Sequence, residues 1–243
     1  MENTTPANTS NRKGLKTIIV TGATGNMGQA MIKRFLEEGY QVIGTVLPTE
    51  TVPVSLNHKN FEAYPVDVSD ESAAAAFINE TIEHYGFIDA AVLTVGGFAM
   101  GDIKATSAKD IERQFKLNFE TAYNISRPVF SHMLERKSGR IFLIGSRPGL
   151  SARAGKGMVA YSLAKSLIFR LAELMNDEAK GTNLVTSVVV PSTIDTPQNR
   201  SGMPGADFDS WVTPEAIAQA VSFYCSEAAA VLREPIIKVY NNA

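Results

Sequence analysis

The chain is poor in the residues that build special chemistry. Its 243 residues include one cysteine, Cys225, one tryptophan, Trp211, and three histidines. A lone cysteine excludes an internal disulfide framework and suits a reducing compartment. His58, His84 and His132 are scattered without metal-ligand spacing, so no metal is expected. Neither sign of charge dominates, since 23 Lys and Arg against 25 Asp and Glu leave a net charge of −2. This balance argues against a nucleic-acid surface and against an acidic disordered tail. No apolar run reaches the roughly 18 residues of a spanning helix, and no apolar stretch of a secretion signal opens the chain. The expectation is a cytoplasmic protein with no nucleic-acid or membrane partner.

What is present is alternation. Residues 1–14 are polar, rich in Asn and Thr, and read as a flexible tail. Beyond them, β-branched or apolar runs fall at 16–20, 41–46, 61–66, 88–95, 140–145, 184–190 and 235–240. Segments of helical period lie between most of them, at 27–38, 72–85, 109–136, 158–179 and 214–226. Strand runs without polar alternation indicate strands covered on both faces, as in parallel sheets. Seven such runs predict one doubly wound α/β domain over 15–243, a seven-stranded parallel sheet with helices on both faces.

The first strand runs into Thr21-Gly22-Ala23-Thr24-Gly25-Asn26-Met27-Gly28, and a helix pattern follows at once. Glycines so placed permit a tight turn, a close approach of backbone to a pyrophosphate, and close packing of helix on strand. The helix N-terminus then offers N–H groups to phosphate. Further on, Tyr161 and Lys165 stand at i and i+4 on one helix face. Ser146 ends the fifth strand run, at the sheet edge where ligands of parallel sheets bind. A neighbouring ammonium favours phenolate, so Lys165 is expected to lower the pKa of Tyr161.

These residues, in this order, resemble the short-chain dehydrogenase/reductase family over 16–240. Thr21 to Gly28 resembles its cofactor turn, and Asp67-Val68 its adenine-binding pair. Leu93-Thr94-Val95-Gly96 stands where the family carries Asn-Asn-Ala-Gly, and Pro191 to Thr196 resembles the segment over the nicotinamide. The resemblance implies a Rossmann fold and an oxidoreductase using NAD or NADP on a small carbonyl or hydroxyl compound. It implies Tyr161 as general acid or base and Ser146 as donor to the reacting oxygen. Lys165 would hold the nicotinamide ribose, and Asn118 would place a water linked to Lys165. It implies cofactor contacts from Gly22, Thr24, Gly25, Asn26, Met27, Gly28, Asp67, Val68, Gly96, Tyr161, Lys165, Pro191, Thr193 and Thr196. Departures are Asn26 where the short form carries glycine, Ser192 for the glycine after Pro191, and a Ser146-to-Tyr161 spacing slightly longer than usual.

At the end of the second strand, Gly44-Thr45-Val46-Leu47 shows neither an acid nor a base to read the adenosine ribose, so NAD against NADP stays open. The stretch 191–211 has no helical period and reads as a long ordered loop over the site, with Met203, Phe208 and Trp211 as lid or anchor residues. This stretch is similar to the dihydropteridine reductase branch, which is the alternative substrate reading. A dinucleotide-binding regulator without turnover is the alternative of another class. Leu163, Leu167, Leu171 and Leu174 form a stripe away from Tyr161 and Lys165, which predicts a homodimer or homotetramer.

Overall fold

The computed structural model describes residues 14–233 and 235–242. Most of the expected N-terminal tail therefore lies outside the described residues. In chain order the elements are β1 (Thr17–Thr21), α1 (Asn26–Glu37), β2 (Gln41–Val46), β3 (Phe61–Pro65), α2 (Glu71–Tyr85), β4 (Ala90–Leu93), α3 (Ala108–Phe115), α4 (Thr121–Glu135), β5 (Ser138–Ile144), α5 (Arg147–Leu150), α6 (Val159–Glu178), β6 (Asn183–Pro191), α7 (Pro197–Gly202), α8 (Pro214–Cys225) and β7 (Ile236–Val239). The strands form one sheet in the order β3-β2-β1-β4-β5-β6-β7, and every pairing is parallel.

Alternate side chains of each strand enter opposite layers. Ile19, Ile43, Ala91, Leu143 and Val188 pack under α2, α4 and α6. Ile18, Val42, Val92, Phe142 and Val189 pack under α1 and α8. Both layers are dry, which explains strands that read as unbroken apolar runs. The chain reverses its winding between β1 and β4, and in an open α/β sheet that crevice is where ligands bind.

Two stretches differ from expectation. The single helix predicted over 109–136 is α3 and α4 joined by a π-helical turn, Lys116–Glu120, in which Thr121 donates back to the Lys116 carbonyl. Asn118 is the buried residue of this widened turn. Such turns recur at functional sites because they re-aim a side chain. The expected irregular loop over 191–211 contains α7 and a 3-10 turn at Phe208–Ser210. Thr196 caps α7 by accepting from Asn199 N, and Pro197 occupies its first turn. Two turns are too short to show a period, so the Thr-Pro start was the available signal.

Candidate active site

The glycine turn closes the C-terminal edge of β1. Gly22 N donates to Thr45 Oγ1 (3.1 Å), and Ala23 N donates to Thr45 O (2.8 Å), so the turn leans on β2. Gly22 sits at φ +67°. A Cβ on Gly28 would lie 2.1 Å from Gly22 O, so only glycine lets α1 start this close to the turn. No side chain caps α1, and its first turn carries no acid. The free end of its backbone dipole therefore faces a cavity of about 680 Å³.

Gly22, Thr24, Gly25, Asn26, Met27, Gly28, Asp67, Val68, Gly96 and Thr196 all line this cavity. Tyr161, Lys165, Pro191 and Thr193 do not line it and stand beyond it. Pro191 ends β6, and Thr193 O accepts from Val212 N (3.0 Å). Ile194, Glu50, Arg113 and Lys116 line the cavity without having been singled out by sequence. Glu50 had a signal: Leu47-Pro48-Thr49-Glu50 has proline at the second position of a turn, and Glu50 N donates to Leu47 O (2.9 Å).

A bare glycine cradle, an uncapped helix start and an elongated cavity across the winding reversal fit a dinucleotide with its pyrophosphate at α1. Asn26 Nδ2 donates to Gln198 Oε1 (3.0 Å), which ties the turn to α7 across the cavity mouth. Beyond α7 the segment is anchored rather than open. Trp211 is buried with its ring edge-on to Phe208, Arg200 lies over Phe208, and Arg200 pairs with Asp195. Met203 is the exposed member of the three apolar residues named from sequence.

The reacting end is built from β5, the π turn and α6. Ser146 follows β5, is buried, and accepts from Gly149 N (3.1 Å) as the N-cap of α5. Lys165 is buried and its Nζ donates to Ile144 O (2.7 Å). Burial pushes the Lys165 amine down to about 8. Burial pushes the Tyr161 phenol up from its ordinary value, and the Ser146 hydroxyl beside it opposes that rise. The lowering expected from Lys165 is therefore not found, because burial outweighs the groups that favour phenolate. Phe98 meets the Tyr161 ring edge-on, with centroids 5.2 Å apart. Asn118 donates to Gly97 O (2.9 Å) and Gln114 Oε1 (2.9 Å), and accepts from Gly97 N (3.1 Å). A Cβ on Gly96 would come 2.8 Å from Asn118 Oδ1 and 3.3 Å from Lys165 Nζ, so both groups reach the same bare backbone. Ser146, Tyr161, Lys165 and Asn118, spread over 48 positions of sequence, thus gather beside one edge of the sheet.

Among the described residues no cluster of His, Cys, Asp and Glu has the arrangement of a metal site, and no helix is long and apolar enough to cross a membrane. A family profile described as short chain dehydrogenase matches residues 16–205. The acetoacetyl-CoA reductase of Acinetobacter sp. (strain RA3849) is 31% identical, with 75% of this chain and 75% of that protein covered. The oxidoreductase YvrD of Bacillus subtilis (strain 168) is 29% identical over 89% of this chain and 92% of its own length. A solved structure described as ElxO with NADP bound superposes with a TM-score of 0.81 at 21% identity, covering 93% of this chain and 97% of that one. From the glycine turn, the sheet and these matches together, the chain belongs to the short-chain dehydrogenase family, the oxidoreductases that work with NAD or NADP.

Proposed function

We propose that the chain interconverts a carbonyl and a hydroxyl group on a small molecule, with Tyr161 as general acid and base. The observation that carries this reading is the convergence of Tyr161, Ser146 and Lys165 beside the dinucleotide cavity. A bound nicotinamide supplies or takes the hydride. In the reducing direction the Tyr161 hydroxyl gives its proton to the substrate oxygen, and in the oxidising direction the phenolate takes it back. Ser146 donates to the same oxygen and holds it in register with Tyr161. Lys165, beside Gly96, is placed to meet the cofactor ribose. Asn118 fixes the Gly96–Gly97 backbone against which that ribose would lie. Phe98 makes the approach to Tyr161 apolar, which suits a substrate with a hydrocarbon flank. The relative named for acetoacetyl-CoA reduction supports the carbonyl class.

The residues from 15 onward serve this as one catalytic domain. The assembly we propose is a homodimer or homotetramer. Leu163, Leu167 and Leu174 are 50%, 38% and 56% exposed along α6, and Phe115 and Tyr123 add exposed rings on α3 and α4. Exposed apolar side chains gathered on neighbouring helices in this way suit a partner surface. Light scattering at micromolar concentration should give two or four chains, and a monomer would overturn this assembly.

The catalytic reading is tested with Tyr161→Phe against a panel of ketones and secondary alcohols. Turnover should fall by roughly 10²–10⁴-fold while nucleotide binding is kept. Full activity in the variant would remove Tyr161 from the chemistry.

A further inference from the structure

The cavity end beyond the glycine turn is read by a residue outside the second strand. We infer that Glu50 makes this chain select NAD(H) over NADP(H). The inference rests on the dinucleotide site assigned above. The β2 wall of the cavity consists of Thr45, Val46, Leu47 and Glu50, and contains no lysine or arginine. This wall lies at the end of β2, where the fold reads the hydroxyls of the adenosine ribose. Val46, the last residue of β2, is apolar and buried, and cannot do so.

The turn after β2 brings a carboxylate back to the same place. Glu50 Oε2 accepts from Thr24 Oγ1 (2.9 Å) and from Leu47 N (3.2 Å). Two bonds at the surface thus direct the carboxylate toward the glycine turn and the end of β2. A ribose 2′-hydroxyl can donate to such a group. A 2′-phosphate has no equivalent donor and brings up to two negative charges against one already fixed. The cations that line the cavity, Arg113 and Lys116, come from α3 and the π turn rather than from the turn after β2. Arg113 is also paired with Asp110 at 3.0 Å.

The test follows nicotinamide fluorescence as NADH and NADPH are titrated separately into wild type and Glu50→Gln. Glutamine can still accept from Thr24 and Leu47, so the turn is kept and only the charge is lost. Wild type should bind NADH roughly tenfold or more tightly than NADPH, and Glu50→Gln should close most of that gap through a gain for NADPH. Added salt should narrow the wild-type gap in the same direction. Should Glu50→Gln fail to fold by circular dichroism, wild type alone decides: adenosine 2′,5′-bisphosphate must displace NADH less well than 5′-AMP. Equal affinity of wild type for the two dinucleotides, or a gap unchanged in Glu50→Gln, overturns the inference and leaves the site standing. A preference for NADPH overturns it and transfers the reading to Arg113 and Lys116. Binding of neither dinucleotide overturns the dinucleotide reading itself.

Discussion

The two ends of the cleft hold their polar groups by opposite means. At the reacting end, Asn118, Lys165 and Ser146 are 1%, 4% and 6% exposed, and each bonds to backbone nearby. Along the glycine turn, Thr24 bonds to Glu50 and Asn26 to Gln198, side chain to side chain at the surface. Buried groups are costly to leave unpaired and their geometry is over-determined by packing. Exposed pairs contribute little to stability, because water replaces the lost partner. The buried groups are thus held rigidly, and the surface bonds beside the glycine turn cost little to open.

This contrast has consequences in proportion to burial. The largest expected effect is at Lys165. An amine with a native value of about 8 releases its proton well before an unfolded lysine does, near 10.4. Between those values the unfolded chain holds more protons than the native one, so the stability of the cofactor-free protein rises with pH across that window. Lys165→Met removes this slope, and denaturant unfolding at pH 7 and pH 10 should show the difference between variant and wild type moving by about 2.5 kcal/mol. The variant should be inactive yet no less stable at pH 7, since a desolvated charge has gone. Parallel pH profiles for the two proteins would break the comparison.

The smallest expected effect is at Gln198. Gln198→Ala removes the bond from Asn26 across the cavity mouth, and stability should change by under about 0.5 kcal/mol. NADH affinity, measured by fluorescence, should weaken less than about threefold, in line with one solvent-exposed hydrogen bond. A tenfold loss would show that the entrance is latched, and the two ends would then differ less than burial suggests.

The fold was largely legible because its signals are local. The strand runs at 41–46 and 61–66 fall within a residue of β2 and β3, and the helix at 158–179 differs from α6 by one residue at each end. Gly22, Gly25 and Gly28 marked the turn by their spacing together with the strand before them and the helix pattern after. The candidate site was legible as a list, because Ser146, Tyr161 and Lys165 each sit at a recognisable place in the alternation. The state of those residues was not legible. Reading Tyr161 beside Lys165 suggested a lowered phenol pKa, but the direction follows first from burial, which raises it, and then from the Ser146 hydroxyl, which opposes that rise. The π turn at Asn118 escaped for another reason: one extra residue shifts the phase of the apolar pattern and leaves the period on either side intact.

By itself the sequence determined the seven-stranded alternation, the glycine turn and the candidates for the site, because periodicity, glycine spacing and residue type act within a few positions of the chain. Only the tertiary structure decided which partner each polar group meets. Glu50 reaches Thr24 across 26 positions and Asn26 reaches Gln198 across 172, and no local rule can choose between such partners. Their choice depends on which strands lie side by side and where each turn returns the chain, and those are properties of the packed sheet.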